Sequence, residues 1–82
     1  MPNILEVLVP NNLKLYFMSN FKTRLIEEKT QLEEKLDKLD AFLLSEKVQE
    51  IDDVQKALLQ VQATAMNTYL QCLKERLERL GE

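Results

Sequence analysis

Leu59, Ala63, Met66, Leu70, Leu73, Leu77 and Leu80 follow one another at strictly alternating spacings of four and three. A strand, with its period of two, scatters such a series over both faces. A helix of about 3.6 residues per turn gathers it into one stripe. A second stripe lies upstream in Leu25, Leu32, Leu36, Leu39 and Leu43, at spacings of seven, four, three and four. Two apolar stripes joined by a short connection predict two helices packed antiparallel. The expected fold is all-α: an antiparallel two-helix hairpin that assembles into a homo-oligomeric helical bundle, with a short irregular or β-like N-terminal segment.

Local signals set the boundaries. Residues 1–17 form an N-terminal extension, apolar and β-leaning, with Pro10-Asn11-Asn12 read as a turn between Ile4–Val9 and Leu13–Phe17, which either pair as short strands or drape over the helices. The sequence changes character at Met18, so residues 18–82 make up the hairpin. Ser19 is a candidate N-cap for a first helix over about 20–44. A short turn follows over 45–51, with Ser45 capping it. Asp52 with Gln55 three residues on has the capping-box arrangement and starts a second helix over about 53–80, and Gly81 stops it. Lys29 stands in the first stripe where leucine is expected. It either snorkels out of the seam or supplies a cation to a ligand.

A chain of 82 residues holds one domain, and a core of that size usually needs a staple. Cys72 is alone, which excludes an intrachain disulfide, and the lack of histidine removes the commonest zinc ligand. Self-association is the staple that remains. It also fits a second apolar row on the second helix, Leu58, Val61, Ala65, Tyr69 and Cys72, about 100° round from the first. Phe21 and Ile26, with Phe42, Leu44 and Val48, add apolar surface outside the first helix's stripe. Burying about 400 Å² of this surface per chain gives about 10 kcal/mol gross at ~25 cal/mol per Å², above an association cost of several kcal/mol. Leu58, Val61, Ala65, Cys72, Ile26 and Phe21 are therefore the expected oligomer interface.

A net charge of −3, from 11 basic and 14 acidic residues, argues against a nucleic-acid binder, which needs a basic surface. No apolar run approaches the roughly 18 residues of a membrane span, and the first residues lack the basic start of a signal peptide. The expected setting is the cytoplasm. Catalysis is not expected, because no histidine is present to act as a base near neutral pH, and no metal or cofactor site is legible. Glu27-Glu28 and Glu33-Glu34 read as solvated surface.

The segment from Ala57 to Leu73 carries no charge over about four and a half turns, and offers Gln60, Gln62, Thr64, Asn67, Thr68 and Gln71 instead. Such groups either pack an interface through small polar contacts or line a pocket for a polar, partly aromatic ligand. In the second case Tyr69 stacks on a base, while Asn67, Thr68 and Gln62 bond base or ribose. The antiparallel register sets Lys29 level with residues 67–70 and Arg24 near residues 74–76. Lys29, Arg24 and Arg76 then supply positive charge for phosphate. Arg76 also suits its place near a helix C-terminus without any ligand.

Phe21-Lys22-x-Arg24-Leu25, Leu39-x-x-Phe42-Leu43, Ile51-Asp52-x-Val54-Gln55-x-x-Leu58-Leu59-x-x-Gln62 and Met66-x-x-Tyr69-Leu70-x-Cys72-Leu73-x-x-Arg76-Leu77 resemble a family of short helical-hairpin proteins of phages and prophages, of the crAss-like gut phage and Bacteroides type. The resemblance covers about residues 18–80, and its members begin near the equivalent of Met18. In build the family is similar to phage sponge proteins, which sequester immune nucleotide signals between protomers. The resemblance implies a homo-oligomer that binds a cyclic dinucleotide or a cyclic ADP-ribose-type signal without chemistry. The alternative is a helical protein–protein module, a phage adaptor or inhibitor of a host protein with no small-molecule ligand.

Overall fold

A computed structural model describes residues 11–81, with side chains from residue 20 onward. Helix α1 spans Asn11–Leu44, a 3-10 turn spans Glu46–Glu50, and helix α2 spans Asp53–Arg79. The described residues contain no strand. The two helices lie antiparallel in a rod of 56 × 20 × 15 Å.

The two stripes meet as expected. Leu25, Leu32 and Leu36 of α1 and Leu70, Leu73 and Leu77 of α2 form the buried cluster, with Leu73 and Leu77 almost fully enclosed at 0% and 1% exposure. Ala63, Met66 and Leu80 pack against it from α2. Leu39, Leu43 and Leu59, nearer the turn, are only half-buried. Lys29 fills the gap in the stripe by lying along the seam edge, with Nζ 3.7 Å from Glu33 Oε1 one turn on. A long aliphatic stem with a charged end can cover apolar surface this way while keeping its charge in water.

Helix α1 is already present at Asn11, the first described residue, and not only from near residue 20, so residues 11–17, expected as part of a turn and a short strand or draped segment, are helical. The physical reason is the absence of a stop. Working back from Ser19, neither glycine nor proline occurs before Pro10, and extending a formed helix by one residue is far easier than nucleating one. The segment Ile4–Val9, expected to pair as a strand or to drape over the helices, lies outside the described residues. Phe21 stands opposite Arg76 and Tyr69 is close to Glu28, so Arg79 lies level with about residue 18. The first two turns of α1 thus project past the end of α2.

The connection differs from expectation in three details. Ser45 precedes the 3-10 turn but does not cap it; its Oγ donates back to the Phe42 carbonyl at 2.7 Å, closing the end of α1. Val48, read from the sequence as surplus apolar surface, is buried at 4% exposure, because the 3-10 turn folds it inward. Asp52 is the N-cap of α2, with Oδ1 accepting from the Val54 amide at 3.0 Å, and the return bond expected from Gln55 is not formed. One amide is satisfied where the capping box would satisfy two. Asp52→Ala is expected to cost about 1 kcal/mol, read as a lower urea midpoint at unchanged slope.

Helix α2 ends through Gly81, whose φ of 81° is the left-handed conformation that favours glycine. The Leu80 and Gly81 amides donate to the Leu77 and Glu78 carbonyls, each at 3.0 Å. No helix among the described residues is long and apolar enough to cross a membrane.

Candidate functional site

Near the open end of the hairpin the helices leave a shallow depression of about 290 Å³ between them, lined by Phe21, Arg24, Leu25, Glu28 and Arg76. Phe21, Arg24 and Glu28 sit on successive turns of α1, at spacings of three and four, beside the Leu25–Leu32 stripe. Arg76 comes from α2 and stacks its guanidinium over the Phe21 ring, 5.6 Å from the centroid. Such a contact holds the group in place at modest energy while leaving its N–H donors free to bond an anion.

Tyr69 lies two turns before Arg76 on α2 and therefore shares its side of the helix. It is 45% exposed, and its phenol faces Glu28. The hydrogen bond to the Glu28 carboxylate raises the phenol pKa above 10.0, partial desolvation and the carboxylate's charge add to the rise, and Arg76 opposes it. The hydroxyl therefore stays a proton donor at physiological pH. Because the folded pKa is raised, the stabilising effect is full below the unfolded value and fades as pH climbs through the folded one. Glu28→Gln, in a Tyr16→Phe background that leaves one tyrosine, is expected to move the tyrosinate absorbance midpoint down toward 10.0.

The depression thus offers two guanidinium groups, one carboxylate and an aromatic ring, with a second aromatic beside it. Charged forks suit phosphate oxygens, the carboxylate accepts from hydroxyl or amino groups, and rings stack on planar groups. No group of three or more acidic, cysteine or histidine side chains among the described residues is placed to hold a metal ion.

Of the residues singled out from the sequence, the structure brings Arg24 and Arg76 to one groove with Tyr69 at its edge. Lys29 has the expected height but sits about 100° round α1 from Glu28, paired with Glu33. Asn67 is exposed about 160° round α2 from Tyr69. The Thr68 hydroxyl donates to its own helix at Thr64 O, 3.1 Å away. Gln62 is on the Tyr69 side but two turns nearer the connection, with Nε2 3.9 Å from Met66 Sδ. Glu28 was not singled out as part of a site. Its signal in the sequence is positional: an acidic residue at the margin of a leucine stripe, level with a tyrosine across the hairpin.

Leu58, Val61, Ala65 and Cys72 are exposed, as is Phe21 at 43%. Ile26, also expected at the oligomer interface, is half-buried against the leucine cluster of its own chain, which leaves less of it for a partner.

A family model described as Sequestin matches residues 19–79. No curated protein and no solved structure matches the chain. The chain belongs to the Sequestin family.

Proposed function

We propose, with that membership as premise, that the chain binds and sequesters a small ligand without transforming it. The ligand we infer is a host immune nucleotide signal, a cyclic ADP-ribose-type molecule or a cyclic dinucleotide. It is held in pockets of a homo-oligomer made by a phage and acting in the cytoplasm of the infected cell. The observation that carries this reading is the groove in which Arg24 and Arg76 flank Glu28 with Phe21 and Tyr69 alongside. A nucleotide presents phosphate, ribose hydroxyls and a flat base, and this groove holds a complement for each.

In this reading Arg24 and Arg76 bind phosphate, Glu28 accepts from a ribose hydroxyl or a base amino group, and Tyr69 stacks on the base. Gln62, Thr68, Asn67 and Lys29 point elsewhere on their own chain and reach a ligand only from a neighbouring copy. The family name supports sequestration in general, and the choice of a nucleotide rests on the chemistry of the groove.

Titration calorimetry of protein whose solution mass has been measured, against a panel of cyclic dinucleotides and ADP-ribose derivatives, tests the reading. Saturable binding by one of them, weakening as salt screens the phosphate contacts, is expected. An assembled protein that takes up none of them removes it.

A further inference from the structure

We propose that two copies pair through the outer face of α2, antiparallel, about a two-fold axis that passes beside Ala65. This rests on the self-association proposed above and adds the face, the direction and the residue at the centre. Val54, Leu58, Val61, Ala65, Tyr69, Cys72 and Arg76 follow at spacings of four, three, four, four, three and four, a series that reads the same from either end. At about 100° per residue all seven fall within a sector roughly 80° wide, with Ala65 at its middle. All are exposed on the hairpin, Val54, Leu58 and Val61 at 63%, 57% and 66%.

A two-fold contact uses the same patch on both copies, so residue i meets j wherever j meets i. A patch palindromic about its midpoint meets that condition at every level. Turning a copy over at Ala65 sets Leu58 against Cys72 of the partner subunit, Val61 against Tyr69 of the partner subunit, and the two alanines against each other. On either side of the axis a large side chain meets a smaller one, and alanine at the crossing lets the helices approach to the usual 8–10 Å.

Charge selects the direction. Helix α2 begins at Asp52-Asp53 and ends with Arg76 and Arg79, with no charge between Ala57 and Leu73. Both ends carry mixed charge, with Lys56 at one and Glu75 and Glu78 at the other, but Arg76 lies in the face itself, and antiparallel pairing sets it against Val54 of the partner subunit and away from the partner's Arg76. Parallel pairing would stack arginine on arginine. The contact also bears on the groove, because Tyr69 and Arg76 belong to both. Val61 and Val54 of the partner subunit then form the missing wall, with the two Tyr69 residues about 12 Å apart along the helices and the two Arg76 residues about 33 Å apart.

Disulfide trapping tests direction and register together. Leu58→Cys, which keeps Cys72, is expected to give a covalent dimer under mild oxidation, because the two thiols face each other across the axis. Wild-type protein and Leu58→Cys/Cys72→Ser are expected to stay uncrosslinked, since like thiols are then separated by about 21 Å along the helix axis. Within one chain the same separation forbids a bridge. Failure of Leu58→Cys to crosslink, or an equal dimer yield from Leu58→Cys/Cys72→Ser, overturns the proposal.

Ala65→Glu, which places two carboxylates at the axis, is expected to drop the solution mass to the 9.6 kDa of one chain with helicity retained. An unchanged mass also overturns the proposal. Ligand uptake by protein that fails to crosslink would remove this pairing alone, whereas crosslinked protein that takes no nucleotide would remove the sequestration reading alone.

Discussion

Replacing Leu73 by alanine is expected to lower the unfolding free energy by about 2–5 kcal/mol, seen as a loss of well over 10 °C in the thermal midpoint. Leu73 is the most enclosed side chain of the hairpin, at 0% exposure, and sits in the leucine cluster with both helices against it. Truncation removes three carbons from a seam that has few others to share the load. A small domain is stable by about 5–15 kcal/mol in all, so this one change takes a large fraction of the total. Leu44→Ala is the control: that side chain is 89% exposed, and its loss is expected to shift stability by no more than about 0.5 kcal/mol. Equal effects from the two would mean that the seam is not where the fold is held.

The second large effect concerns the groove. Arg24→Ala/Arg76→Ala is expected to weaken nucleotide binding by about 100-fold or more, because charge-assisted bonds to phosphate are roughly twice as strong as neutral ones and both donors are lost. The thermal midpoint should fall by only a few degrees, since both side chains are exposed and the Arg76–Phe21 contact is worth about 0.5–1 kcal/mol. Calorimetry and melting on the same sample separate the two readouts. Lys29→Ala serves as comparison, because its ammonium pairs with Glu33 outside the groove. A double variant that binds as tightly as the parent would dissociate the arginines from the ligand.

The leucine stripes were legible because six spacings of four and three in a row gather on one face of a helix and scatter over both faces of a strand. The N-cap at Asp52 and the stop at Gly81 were legible because each rests on one residue's own backbone chemistry. What escaped was set by contacts between segments. Val48 looked surplus because nothing local says that a 3-10 turn will fold it inward. Glu28 is exposed, as the sequence suggests, but its closeness to Tyr69 is not legible, because the two are 41 positions apart and only the rotation of α1 decides that Glu28 and not Lys29 meets the phenol. The extent of α1 is hidden for the opposite reason: residues 13–17 are β-leaning by type, whereas a helix already formed downstream continues through them.

At 15 Å across its narrowest dimension, the rod is one helix thick, and its leucine seam is a single layer of side chains between two helices. Such a body has a surface and a spine but no interior chamber. Any guest the size of a nucleotide must rest against the outside of a single chain, and shelter from water has to be furnished by another molecule laid over it.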